Sequence, residues 1–292
     1  MNDADSKIEQ VLTAVIGRAT DRTCPPLLAR AVRYAVFPGG ARLRPKLCLA
    51  VAAANGDSDP ALSAAGAAAI ELLHCASLVH DDLPCFDNAG ERRGKPSVHV
   101  AFGDQIAVLT GDALIVLAFE SLGLAAGECS APQRLSSLLS ITGRAVGMPF
   151  GISAGQAWEL EPSVDVSRYH QAKTGSLFVA ATCAGAAAAG AEVEPWTLLG
   201  ERIGEAYQVA DDIRDATADA ETIGKPVGQD EAHGRPSAVQ ELGVDGAVSR
   251  LRQLVEEGVE SIPDCPGGHL LKLLMLEESK RFLPKDLARR AA

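Results

Sequence analysis

Two apolar, helix-like stretches of this chain each close on a cluster of aspartates, and that pairing constrains the fold more than any other feature. The first cluster is Asp81-Asp82-Leu83-Pro84-Cys85-Phe86-Asp87; the second, about a third of the chain later, is Asp211-Asp212-Ile213-Arg214-Asp215. Residues 61–83 are rich in Ala and Leu, which are good helix formers. Pro84 lacks an amide hydrogen and biases Leu83 away from helical geometry, so the helix is expected to stop or kink there. Asp81 and Asp82 then fall in its last turn, where the helix dipole favours cations over carboxylates. Asp211 and Asp215, spaced i, i+4, share a face of a second helix expected over residues 198–218. Two such clusters brought together would repel by roughly 3 kcal/mol per charge pair at ~5 Å and an effective dielectric of ~20. Cations must fill the gap.

Magnesium fits this donor set better than calcium or zinc. It is held by a few carboxylates plus waters and substrate phosphates, whereas calcium takes a dense oxygen cage and zinc prefers Cys or His. A polyphosphate bridging the metals is therefore expected. Either cluster alone, in a chain with 38 Asp and Glu, reads equally as a solvated acidic helix end. Basic residues gathered at turns favour the functional reading: Glu91-Arg92-Arg93-Gly94-Lys95-Pro96, Phe37-Pro38-Gly39-Gly40-Ala41-Arg42-Leu43-Arg44-Pro45-Lys46, Lys173-Thr174-Gly175 and Gly224-Lys225-Pro226. Paired guanidiniums suit bidentate phosphate contacts.

Long Ala- and Leu-rich segments with few alternating β-branched runs predict helices nearly throughout. No linker, repeat or low-complexity segment divides the 292 residues, so one all-α domain over residues 1–292 is expected. A net charge of −11 argues against nucleic acid or an anionic membrane as partner. No signal-peptide pattern is present, and the uncharged stretch 175–191 is too weakly hydrophobic to span a bilayer, so no transmembrane segment and a cytoplasmic location are expected. Seven widely spaced cysteines without a CxxC pair predict reduced thiols rather than disulfides or zinc ligands.

With these residues in view, the chain resembles the trans-isoprenyl diphosphate synthase (polyprenyl synthetase) family. HCASLVHDDLPCFDNAGERRGKPSVH is similar to its first aspartate-rich motif and YQVADDIRD to its second, with GGARLRP, LTGDAL, AGQAWEL, KTGSLF and GKPVGQD in the family's order. The likeness is greatest to the geranylgeranyl diphosphate synthases of carotenoid pathways in purple photosynthetic bacteria. It implies an all-α, single-domain helical bundle around a deep central cavity, a homodimer, and magnesium as cofactor, three ions per site. It also implies two substrates, isopentenyl diphosphate and an allylic diphosphate. Asp81, Asp82, Asp87, Asp211, Asp212 and Asp215 would be the metal ligands. Arg92, Lys173 and Lys225 would stabilise the departing pyrophosphate, and Thr174 and Gln208 would place oxygens beside the allylic cation. Isopentenyl diphosphate would take a metal-free anion site at Arg44, His74 and Arg93. His74 lies seven residues before Asp81, two helical turns along the same face.

One departure stands out. Ala41 replaces a lysine that in most of the family contacts isopentenyl diphosphate; the purple-bacterial members that the chain resembles share the Ala, so the change is expected to be tolerated, with Arg42 or Lys46 as candidates to reach in. Glu159 and Arg235 replace the family's usual Asp and Lys with charge kept. Product length in the family is set below the first cluster, where fifteen-carbon synthases carry aromatics four or five positions before the first Asp. Here those positions are Ser77 and Ala76, so the resemblance implies a deeper floor at Leu72, Leu73 and Phe119 and a twenty-carbon product, geranylgeranyl diphosphate; farnesyl diphosphate is the alternative. A class I terpene cyclase would share the first cluster but mix Asn, Ser or Thr with Glu in the second. A non-catalytic subunit of a heteromeric synthase would carry degraded aspartate motifs. The C-terminal KDLARRAA could serve as a lid or fray.

Overall fold

The computed structural model describes residues 3–37, 39–163, 166–217, 237–280 and 282. Helix dominates them, as the composition predicts. The helices are α1 (Asp3–Ala19), α2 (Pro26–Val36), α3 (Leu43–Ala54), α4 (Pro60–Asp81), α5 (Val98–Phe102), α6 (Asp104–Ala125), α7 (Leu135–Val146), α8 (Ile152–Trp158), α9 (Val166–His170), α10 (Ser176–Ala189), α11 (Thr197–Thr217), α12 (Ala238–Glu260) and α13 (Gly268–Ser279). The two helices expected to carry aspartates appear with nearly the anticipated bounds. Residues 91–96, expected as a loop, instead form a hairpin of β1 (Glu91–Arg92) and β2 (Lys95–Pro96), paired Glu91 to Pro96 and Arg92 to Lys95.

The described residues gather into two compact units interleaved along the chain. One comprises Met1–Ala53, Asp57–Thr142 and Ala184–Ala191; the other comprises Ala54–Gly56, Gly143–Cys183 and Glu192–Ala292. In the first, α4 and α6 are the central pair, with α1, α2 and α5 packed on them. The α6 helix buries Ala107, Thr110, Gly111, Leu114, Leu117, Ala118, Ser121, Leu122 and Ala125, the i, i+3, i+4 stripe of a helix with one core face. Pro60 opens α4 at a position where a missing amide hydrogen costs nothing. Asp59, just before it, does not cap its own helix. Its buried carboxylate accepts from Ser130 N and Oγ and from Ala131 N, tying the end of the α6 connection to the start of α4. Burial works against the Asp59 charge, but these hydrogen bonds outweigh it and hold the carboxyl below its usual range.

In the second unit, α11 packs along α12 and α12 against α13. Trp196 and Phe178 are fully buried there. A five-residue π turn, Gln171–Gly175, interrupts the run from α9 into α10, and α8 packs on it. Gly155 of α8 permits that approach, because a Cβ would run into the backbone of Ala172 and Lys173.

Two helices are long and apolar enough to cross a membrane by length and composition, α4 and α6. The apolar window of α4 is 78% buried within the protein, which marks it as a core helix, against 44% for α6. The difference lies in Val108, Leu109, Val116 and Leu124, which are exposed.

Candidate active site

The end of α4 builds the first cluster. Asp81 is its last residue and Asp82 its cap; the chain then folds back, so that Asp87 N donates to Asp81 O at 3.0 Å and Asn88 N to Leu83 O at 3.0 Å. This return brings a carboxylate oxygen of Asp81 and one of Asp87 within 4.8 Å of each other, both side chains partly exposed. Asp82 is placed differently. It is buried, and Arg92 grips it through Nε at 3.0 and 3.2 Å and through Nη2 at 2.5 Å. Burial is the largest influence on Asp82 and pushes its carboxyl up from the ordinary value despite the guanidinium. The Asp81 and Asp87 pair offers hard oxygen donors with room for waters and phosphates, a donor set that fits magnesium.

The α11 helix builds the second cluster with the same division. Asp211 and Asp215 are partly exposed, while Asp212 is buried. Both Asp212 oxygens accept hydrogen bonds, one from Gln208 Nε2 at 3.1 Å and one from Ala238 N at 2.8 Å. Thr174 Oγ1 in turn donates to Gln208 Oε1 at 3.0 Å, so Thr174, Gln208 and Asp212 form one relay. Arg214 donates to Asp211 at 2.9 Å. On the π turn, Lys173 Nζ donates to Glu159 at 2.7 Å; Gln156 and Tyr169 donate to the same carboxylate. The glutamate that replaces the family's usual aspartate thus keeps a lysine partner. A π turn is a frequent site of function because it re-aims its side chains. Lys225, Arg235 and the C-terminal KDLARRAA lie outside the described residues.

The residues proposed for a metal-free anion also come together in the first unit. Arg44 is buried, His74 half-buried on α4. Burial, then the charges of Arg44, Arg93 and Arg92, holds the His74 imidazole well below its usual pKa, so it is neutral and can donate to an anion. Arg93 lies against Gly40, where a Cβ would stand 3.0 Å from its guanidinium. Among the chain-length candidates, Leu72, Leu73 and Ala76 are buried, whereas Ser77 and Phe119 are half-buried.

The two candidates to compensate for Ala41 are both engaged elsewhere. Arg42 is buried at a φ of 52° and is committed to Glu71 at 2.5 Å, Glu9 at 2.8 Å and the Val36 carbonyl at 2.9 Å. Lys46 pairs with Asp5 at 2.7 Å. Tyr34 is not suggested by the sequence, and Lys95 only as one cation of the 91–96 run; the two bond each other's segments across more than sixty positions.

A polyprenyl synthetase family model matches residues 25–265. The chain belongs to the polyprenyl synthetase family. It is 54% identical over 286 residues to a geranylgeranyl diphosphate synthase of Cereibacter sphaeroides, covering 98% of this chain and 99% of that protein. A geranylgeranyl diphosphate synthase of Rhodobacter capsulatus is 52% identical over 263 residues, 90% of each chain. Among solved structures, a geranyltransferase of Helicobacter pylori complexed with magnesium and isoprenyl diphosphate superposes with a TM-score of 0.76 at 29% identity, covering 95% of this chain and 98% of that one. The all-α reading and the resemblance to purple-bacterial polyprenyl synthetases are both borne out.

Proposed function

We propose that this polyprenyl synthetase is a magnesium-dependent short-chain trans-prenyltransferase that condenses isopentenyl diphosphate with an allylic diphosphate to give geranylgeranyl diphosphate. The observation that carries the reading is the hairpin β1–β2, which turns two consecutive arginines to different tasks. Arg92 grips Asp82 of the aspartate cluster, while Arg93 joins Arg44 and His74 in a basic group that Arg92 borders. Two anion sites side by side suit two diphosphate substrates, which elongation needs and a cyclase does not.

Asp81 and Asp87, and likewise Asp211 and Asp215, hold magnesium in this reading, with Asp82 and Asp212 as the buried members that fix each cluster's geometry. Magnesium held by these carboxylates would supply neutralisation of the allylic diphosphate and of the charge that develops as its carbon–oxygen bond breaks. The resemblance assigns Arg92, Lys173 and Lys225 to the departing pyrophosphate, where cationic donors stabilise the developing charge. Arg44, Arg93 and neutral His74 hold isopentenyl diphosphate so that its double bond attacks the allylic cation. Thr174 and Gln208 offer oxygens beside that cation. Loss of a proton to the pyrophosphate completes a product one five-carbon unit longer, without a protein nucleophile.

Residues 1–292 act as one domain in this reading, supported by the interleaving of the two units along the chain. A homodimer is supported by the exposed apolar residues of α6, which suit burial against a second copy. A cytoplasmic enzyme supplying carotenoid precursors is the setting that the resemblance favours. The proposal is tested by steady-state turnover of Asp81→Ala and Asp211→Ala. Each is expected to fall by about a hundredfold or more at saturating magnesium; full activity in either variant would remove that cluster from the chemistry.

A further inference from the structure

We propose that Lys95 and Tyr34 form a clasp that positions the isopentenyl diphosphate site, and that they are positioning residues for condensation although neither belongs to the two anion sites. The inference rests on the prenyltransferase reading above.

The last carbonyls of a helix have no partner within it. At the end of α2, Tyr34 O is such a carbonyl, and Phe37, the extended residue just past the helix, offers another; both accept from Lys95 Nζ, at 2.7 and 3.1 Å. An ammonium there also matches the negative end of the helix dipole. The same Nζ stands 3.9 Å from the centre of the Tyr34 ring, and the Tyr34 hydroxyl donates back to Pro96 O at 2.7 Å. Phe102 of α5 meets that ring edge-on with centroids 5.2 Å apart, which fixes its plane. The hairpin and the end of α2 are therefore bonded in both directions, backbone to side chain each way.

What the clasp joins gives it a function. Two residues before Lys95 is Arg93; two residues beyond Phe37 begins the Gly39-Gly40-Ala41 turn. The Arg93 guanidinium packs against Gly40. Ala41 leaves this chain without the lysine usual at that position, and Arg42 and Lys46 are committed elsewhere. The charge offered to isopentenyl diphosphate therefore comes from Arg44 and Arg93, and Arg93 sits on a two-residue turn whose placement depends on what its hairpin is tied to. Lys95 and Tyr34 tie it to the segment that leads into the glycine turn.

The test compares wild type with Lys95→Met, Lys95→Arg and Tyr34→Phe in steady-state assays with the substrates varied separately. Calorimetric titration of isopentenyl diphosphate in EDTA gives a readout independent of turnover. Lys95→Met is expected to raise the KM and the metal-free Kd for isopentenyl diphosphate by about tenfold, with the allylic KM within about twofold. Lys95→Arg, which can reach the same carbonyls, should recover most of that loss, and Tyr34→Phe should show a smaller loss of the same kind. Unchanged isopentenyl diphosphate affinity in Lys95→Met and Tyr34→Phe would overturn the clasp. So would equal rises in both KM values with a lowered melting temperature, which would make the contact merely structural. Wild type that binds isopentenyl diphosphate but does not elongate would instead overturn the functional reading on which the inference stands.

Discussion

Arg93 occupies a backbone conformation that suits glycine or asparagine. With Gly94 it forms the two-residue turn of the hairpin, at φ values of 56° and 71°, and turns of this kind require positive φ at both positions. A bulky residue held there costs on the order of 1 kcal/mol, and the cost is sensible only if the guanidinium is needed. Arg93→Asn is therefore expected to raise the melting temperature by a few degrees while raising the KM for isopentenyl diphosphate about tenfold or more. A stabilised variant with unchanged KM would remove Arg93 from the site. His74 carries a pH signature. Its folded pKa lies well below the unfolded value of 6.5, through burial and the neighbouring arginines. The unfolded chain therefore takes up a proton that the folded one refuses, and stability present above pH ~6.5 is lost as pH falls through and below it. His74→Gln should flatten that loss, read from denaturant midpoints at pH 8 and 5.5. At this scale the aspartates and arginines were legible because their types and spacing advertise the chemistry. The division of labour within each cluster was not, since whether Asp82 or Asp81 is buried depends on Arg92 reaching back from the hairpin. The commitment of Arg42 and Lys46 to Glu71 and Asp5 was hidden for the same reason.

Among the elements, α4 does most to connect sequence with product. Its 22 residues start at Pro60 and end just before the Pro84 turn, so both bounds could be read from prolines. Leu72, Leu73, Ala76 and Ser77 lie about one to two and a half turns below Asp81, and a turn of ~5.4 Å is close to the length of an isoprene unit. If product length is set there, Ala76→Tyr should shift the product from twenty toward fifteen carbons by filling space beside two fully buried leucines. An unchanged product ladder would place the floor elsewhere. The β1–β2 hairpin and the π turn were not legible. Two-residue strands around Arg-Gly leave no alternating pattern to detect, and a π turn differs from an α-helix only in where its hydrogen bonds fall, which composition does not record. Both carry site residues, and both depart from the regular structure that local sequence predicts.

Across the whole molecule, the abundance of Ala and Leu is enough to predict the helical class, and the order of motifs to predict the family. The interleaving of two compact units leaves no linker in the sequence, because it arises from the chain crossing between them at residues 54, 57, 143, 184 and 192 rather than from a change in composition. The exposed apolar side of α6 was likewise masked, since a helix apolar all round reads the same whether one face is exposed or not. What unites these scales is elongation of an allylic diphosphate by isopentenyl diphosphate. It is tested most directly by incubating the protein with magnesium, radiolabelled isopentenyl diphosphate and dimethylallyl, geranyl or farnesyl diphosphate in turn, then separating the dephosphorylated products by chromatography. A labelled twenty-carbon alcohol that disappears with EDTA is the expected result; no labelled elongation product from any of the three primers would contradict it.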